Sequence, residues 1–388
     1  MLNNRQRITL ASFLAYFVMS GMLSPVGIIS GPMAEYFSLP ITDITAGFSW
    51  LTLGILVGAI VALYLFDWFS LKRIMLMLYC LVFTGLVSLS LHDRLLPVLL
   101  ALGLVGVCCG IGLAGAALTI SRTYDAERRA SMLVITDSSF SVAGIICSML
   151  ATMLVARGLF WADVYLFVAL VAVVVVILVA LSTFPATSTS AEAAAAAHKP
   201  SPPWPIAVWF CVFALFLYTL GQYSILLWIP NYVETALAVP RDQSGQIVSQ
   251  FWTGMFAAQL VVSWWVFRVG VRRIVLLAAS ACTLFSTFLW ILADFNTLRV
   301  VATLWGFSNL ALLKMVLSFA TQKVAVPTAR LVAGLLLGAT IGTALSPWIT
   351  SQVVTFFDNH FVLLFGTGCF AVMTALLVAA TRPAQASR

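Results

Sequence analysis

The feature that most constrains this chain is a run of about 20 apolar residues that recurs, broken by short polar clusters, from one end to the other. Wound into a helix rising 1.5 Å per residue, such a run matches the ~30 Å hydrocarbon core of a bilayer. Twelve runs can be read, near 8–31, 44–66, 74–91, 96–121, 131–156, 163–184, 206–230, 245–266, 274–292, 299–321, 331–356 and 361–381. Hydrophobic types make up 62% of the 388 residues and charged types 9%. Soluble domains average about 45–50% apolar and about 25% charged, so neither a soluble fold nor a disordered chain fits. Barrel strands alternate in polarity over about 10 residues, whereas these runs are apolar on every side. The first run is longer than the core of a signal peptide and lacks a clear small-residue cleavage site, so it is counted as a span. The expected fold class is an all-α polytopic membrane protein with 12 transmembrane helices.

The net charge of +7 would suggest nucleic acid in a soluble protein. Its distribution says otherwise. With the N-terminus placed in the cytoplasm, fifteen Lys and Arg fall on that side, including Arg5, Arg7, Lys199, Arg382 and Arg388, and four fall opposite, Arg94, Arg157, Arg241 and Arg299. The positive-inside rule then puts both termini in the cytoplasm of a multi-pass protein of the bacterial inner (plasma) membrane. The basic charge records orientation, and no nucleic-acid partner is expected. The seven cysteines all fall inside the runs, none in a C-x-x-C, and read as small buried hydrophobes.

The longest polar interruption, 185–205, is rich in Ala, Ser and Pro and reads as a cytoplasmic linker. It divides the chain into an N-terminal six-helix bundle over 1–184 and a C-terminal one over 206–388. An offset of 200 aligns the halves: Gly21 with Gly221, Gly54 with Gly254, and Lys72-Arg73-Ile74 with Arg272-Arg273-Ile274. A parallel repeat of this kind, making two pseudo-symmetric six-helix bundles, is a transporter architecture. The loops after spans 2 and 8 read Asp67-Trp68-Phe69-Ser70-Leu71-Lys72-Arg73 and Arg268-Val269-Gly270-Val271-Arg272-Arg273. Both resemble the loop of the major facilitator superfamily, in which an acid, a glycine turn and paired basic residues recur in each half. Ser70 replaces the glycine in the first copy and Phe267 the acid in the second. The resemblance implies a major facilitator fold, a conformational-gate role for Asp67, Lys72, Arg73, Arg272 and Arg273, and a central cavity bordered by spans 5 and 10. A narrower resemblance, to the TsgA group of bacterial major facilitators, rests on Thr136-Asp137-Ser138-Ser139-Phe140-Ser141-Val142-Ala143-Gly144, Trp228-Ile229-Pro230-Asn231-Tyr232, Ser249-Gln250-Phe251-Trp252 and Val326-Pro327-Thr328-Ala329-Arg330-Leu331-Val332.

Two charges fall inside the runs. Asp137 lies 8 residues past Arg129 and Lys314 lies 8 before Gln322, so each is about 12 Å in from the same membrane edge. A charge at a helix centre costs at least about 2.5–3.5 kcal/mol, so such residues usually face a cavity and pair. Opposite sign, equal depth and opposite halves predict that Asp137 and Lys314 interact, or are bridged by substrate. A static pair that only fixes packing is the alternative. Further polar candidates for the cavity are Tyr16, Ser20, Thr136, Ser138, Gln222, Tyr223, Gln250, Trp252 and Asn309. Gln250 and Trp252 are about 200° apart around a helix, so one of them points elsewhere. Gly54-x-x-x-Gly58 in span 2 and Gly338-x-x-x-Gly342 in span 11 are candidate contacts between the halves, since the resemblance implies that these spans face each other. Pro25 and Pro347 are candidate kinks. Trp161 and Trp204 are expected as interfacial anchors.

The function expected is secondary active transport of a small solute by alternating access, with protons as a candidate coupling ion through Asp137 and Lys314. A monomer in the lipid bilayer is expected, with no cofactor and no metal. An ATP-driven pump would need a G-x-x-x-x-G-K-[ST] loop, and no Gly-Lys pair occurs. An integral-membrane enzyme would need clustered His, Cys or acidic residues at a membrane edge. A transport-inactive sensor or scaffold on the same fold stays open as the alternative.

Overall fold

The computed structural model describes residues 3–184, 204–324 and 329–381. Linker residues 185–203, with Glu192, His198 and Lys199, lie outside the described residues. So do Val326, Pro327, Thr328, Arg382 and Arg388, and the side chains of Glu127, Phe267, Arg268 and Ala329.

Helix is the secondary structure of every element among the described residues. In hydrocarbon each backbone N–H and C=O must be satisfied within the protein, and a helix does this within one segment. Span 1 is two helices, Asn4–Leu23 and Val26–Phe37, meeting at 48° across Ser24 and Pro25. Span 2 is Ile41–Gly47 continued by Ser49–Trp68. Spans 3 to 6 are Leu71–Ser88, Leu95–Thr123, Ala126–Ala156 and Asp163–Ala180. Span 7 is Ile206–Ala236, and a short helix, Arg241–Ser244, leads into span 8, Gln246–Val269. Spans 9 to 12 are Val271–Ile291, Phe295–Thr321, Ala329–Phe356 and Asn359–Thr381. Among the described residues, ten stretches are long and apolar enough to cross a membrane, and bent span 1 makes eleven. Span 8, with 24 residues, is about 36 Å long and completes the twelve. Pro25 lacks the N–H that would continue the helix ladder, and span 1 breaks there. Pro347, the other candidate kink, lies inside one continuous helix, Ala329–Phe356.

The ends of the bundle are called here the basic face, which carries Arg5, Arg122 and Ile206, and the opposite face. Within the first half, span 2 packs on span 4, span 3 on spans 4 and 6, and span 1 on spans 4, 5 and 6. In the second half, span 8 packs on span 10, and span 7 on spans 11 and 12.

The offset of 200 is a property of the packing, not only of the sequence. A Cβ added to Gly54 would strike the Gly103 carbonyl and the Val107 nitrogen; one added to Gly254 would strike the Thr303 carbonyl and the Phe307 nitrogen. Gly106 meets the carbonyl of Leu51 as Gly306 meets that of Phe251. Each pair of partners is 200 residues apart, so spans 2 and 4 cross as spans 8 and 10 do. The chain also leaves spans 1 and 7 in the same way. Ser38 and Ala238 both turn left-handed, with φ of 54° and 52°, and a proline follows two residues later in each half.

These contacts correct the glycine assignment. Gly54 and Gly58 pack on span 4, and Gly338 and Gly342 pack on span 7. All four lie inside a half. Between the halves it is Gly27 of span 1 that lies against the carbonyls of Leu226 and Leu227, and Gly144 of span 5 that lies under the Trp252 ring. Trp161 also departs from expectation: it is 3% exposed and packs on Phe37 and Phe160 instead of standing in the lipid interface.

Overpacking a helix crossing costs about 1–3 kcal/mol or more when the backbone must part. Gly254→Val is therefore expected to lower the thermal unfolding midpoint of purified protein by several degrees. Gly368→Ala, where no atom lies within 4 Å of the added carbon, is expected to leave it unchanged.

Candidate functional site

A cavity of about 250 Å³ sits at the centre of the bundle. Spans 1, 2, 4 and 5 line it from one half, and spans 7, 8, 10 and 11 from the other. Helical periodicity selects the lining. Tyr16, Met19 and Leu23 share a face of span 1; Asp137, Phe140 and Ser141 share one on span 5; Trp252, Met255 and Gln259 share one on span 8. Span 7 presents Tyr218 with Gln222, and Thr219 with Tyr223, each pair four residues apart.

Asp137 and Lys314 meet in this cavity. The Lys314 Nζ lies 2.5 Å from Asp137 Oδ2, and each side chain is 32% exposed. Neither charge is left alone in hydrocarbon: each offsets the desolvation of the other, and the cavity leaves both partly exposed. Gln259 of span 8 adds a third group, its Nε2 donating at 3.4 Å to the Asp137 main-chain oxygen and at 3.5 Å to Oδ2. The Asp137 carboxylate of the first half is thus held by two spans of the second.

Of the other expected site residues, Tyr16, Gln222, Tyr223 and Trp252 line the cavity with the pair. Four do not. Thr136 is fully buried and donates to the Met132 carbonyl at 2.6 Å. Gln250 accepts from Thr303 Oγ1 at 3.0 Å, tying span 8 to span 10. Asn309 is buried and donates to the Trp305 carbonyl at 2.7 Å. Ser138, beside Asp137, is half-buried but turned off the lining face. Ser20 is buried and is not part of the cavity lining. Gln250 and Trp252 point apart, as their spacing requires. Gln259 and Ser141 escaped the sequence reading. Their signal was register: Gln259 is two turns past Trp252, and Ser141 one turn past Asp137.

In the loops at the basic face, Lys72 donates to the carbonyls of Ala180 and Ser182 at 2.9 and 2.8 Å. It clasps the end of span 6 within its own half. Asp67, Arg73, Arg272 and Arg273 are exposed. Gly270 takes φ of +84°, which glycine adopts without strain. Among the described residues no group of His, Cys, Asp and Glu could hold a metal ion.

At the opposite face the halves are closed against each other. Gly27 packs on the span 7 backbone, and Thr52 of span 2 donates to the Ala344 carbonyl of span 11 at 3.0 Å. Above them Arg241 bridges Glu35 at 2.8 Å and Glu234 at 3.3 Å, and Ser244 donates to Glu234 at 2.6 Å. The Arg241 guanidinium holds the Glu35 carboxyl below its usual range, and is itself raised by it. Their side chains are 39% and 65% exposed, and exposed pairs contribute about 0–1 kcal/mol. Close packing, at Gly27 on span 7 and at Gly245 on Thr152 and Ile28, is therefore the larger part of this seal. Because the Glu35 pKa is depressed, the contribution of the pair is fully present above the ordinary value of 4.5 and is lost as pH falls through the lowered value. Spin labels flanking positions 35 and 241 are expected to keep one distance between pH 7 and pH 5. Gly27→Leu is expected to lengthen that distance at every pH.

The Major Facilitator Superfamily family model matches residues 8–328. A protein of Yersinia pseudotuberculosis named as a TsgA homolog is 28% identical over 382 residues, 97% of this chain and 95% of that protein. A TsgA homolog of Yersinia pestis shows the same identity and coverage. Among solved structures, the nucleoside transporter NupG superposes with a TM-score of 0.75 at 15% identity, covering 98% of this chain and 100% of that one. A bacterial homolog of the human lysosomal transporter Spinster, in an inward-facing and occupied conformation, gives 0.70 at 15% identity, with 98% of both chains covered.

Proposed function

The chain belongs to the major facilitator superfamily, and we propose that it is a secondary active transporter moving a small solute across the bacterial inner membrane by alternating access. The observation that carries this reading is the Asp137–Lys314 pair inside a cavity lined by four spans of each half. A packing pair needs no cavity. A pair that must open and close does, because each charge then requires another partner or water when its mate moves off.

The two halves, 1–184 and 206–388, are the rocking units of this proposal, joined by the linker 185–205. One seal is the opposite-face contact at Gly27 and Arg241; the other is the Asp137–Lys314–Gln259 cluster nearer the basic face. Loosening one while the other holds exposes the cavity to one side at a time. Asp137, Lys314, Tyr16, Gln222 and Tyr223 are the residues proposed to contact substrate or coupling ion. Protons are the proposed coupling ion, exchanged as the acid and base separate and rejoin. The excess of Lys and Arg at the basic face supports cytoplasmic termini, with the opposite face toward the periplasm, in a protein that works as a monomer.

Flux in proteoliposomes tests this. Asp137→Asn and Lys314→Met are each expected to lower transport at least tenfold while leaving the protein folded. The double variant Asp137→Asn/Lys314→Met, in which neither charge is stranded, is expected to recover stability but not proton-dependent accumulation. Wild-type uptake rates in all single and double variants would contradict the proposal.

A further inference from the structure

Besides the Asp137–Lys314 ion pair, the cavity presents several neutral polar groups that lack a good hydrogen-bond partner among the described residues. Gln222, in the middle of span 7, is 4% exposed, and among the described residues its amide makes only a 3.9 Å N–H contact to the Met255 sulfur. The buried Ser141 hydroxyl and the Trp252 indole N–H have no hydrogen-bond partner among the described residues. The Tyr16 and Tyr223 hydroxyls line the same space, and none of the hydrogen bonds among the described residues involves them. A buried polar group without a partner costs about 1–3 kcal/mol. Several of them converging on one cavity point to a ligand that supplies their partners. The neighbouring tyrosines tie down differently: Tyr218 donates to the Asn309 carbonyl at 3.0 Å, so it belongs to the wall.

We propose that this subsite, centred on the Gln222 amide, selects an uncharged solute carrying a flat ring with a hydrogen-bond donor and acceptor side by side on one edge. The inference rests on the transporter reading above and names its substrate class. An amide presents one donor and one acceptor in a plane, which an edge of that kind matches in two parallel hydrogen bonds. Phe140 and Trp252, with ring centroids 5.6 Å apart and tilted 56°, supply an aromatic wall for the face of the ring. Charge argues the same way. An ionic solute would take one member of the Asp137–Lys314 pair and strand the other in a site of low dielectric. A neutral solute leaves the pair free to open and close for coupling. A cavity of about 250 Å³ holds one small ring system with its substituents.

Binding to purified full-length protein tests this apart from flux, by thermal shift and calorimetry with uracil, nicotinamide, glucose, glutamate and putrescine. Uracil or nicotinamide is expected to bind and to raise the unfolding midpoint, with an affinity that changes little between pH 6 and pH 8. Gln222→Leu is expected to weaken it about tenfold, the loss of about 1.4 kcal/mol. Tyr223→Phe, which removes a single oxygen, is expected to weaken it about threefold and serves if Gln222→Leu folds poorly. Binding of glutamate or putrescine but not of the neutral rings would overturn the proposal. So would binding of glucose alone, failure of both rings at millimolar concentration, or unchanged affinity in both variants. Ring binding without any flux would leave the subsite standing and count against the transporter reading; flux of a charged solute would do the reverse.

Discussion

One ion pair organises this protein. A carboxylate and an ammonium, alone among the residues of the membrane interior, would each be unfavourable by at least about 2.5–3.5 kcal/mol if isolated. They come from different halves and meet at 2.5 Å. The two bundles are therefore linked electrostatically at the cavity, while their link at the opposite face is mostly a matter of close packing at Gly27. Electrostatic and steric contacts respond to different things. A charged pair responds to protons, water and ligands, and a glycine crossing responds to geometry. A molecule with one of each near its two faces has the physical parts of an alternating device.

The internal repeat shows where that device departs from symmetry. Spans 2 and 4 cross as spans 8 and 10 do, down to the partners of Gly54 and Gly254. Yet the position 200 residues after Asp137 is Leu337, and the one 200 before Lys314 is Ala114. Gln222 and Trp252 likewise correspond to Met22 and Thr52, 200 residues earlier. The packing of the halves is duplicated and the chemistry is not. Residues that repeat hold the bundles together, and the polar residues that break the repeat gather around the cavity.

Much of this could be read in the sequence, and the part that could not has a definite cause. Span number and the depth of Asp137 and Lys314 follow from length and rise alone, which is why those two residues stood out. Helix rotation does not follow. In a soluble helix a polar stripe shows which face is outside, but these spans are apolar all round, so nothing in hydropathy says that Gln250 turns to Thr303 while Gln259 turns to Asp137. The glycine pairs misled for the same reason: small residues four apart announce a close crossing but not its partner. Thr136 and Asn309 look like cavity residues by type, yet their side chains return to the carbonyls four residues earlier, as such groups do when apolar surroundings offer no better partner.

In the proposed cycle the Asp137–Lys314 pair opens and closes as the halves move. Spin labels at Ser131 and Gln322, exposed positions near the basic-face ends of spans 5 and 10, report that motion through pulsed distance measurements in lipid nanodiscs. Two distances are expected in the wild-type protein, with Asp137→Asn shifting the population toward the longer one. A single distance, the same with and without the Asp137 charge, would contradict it.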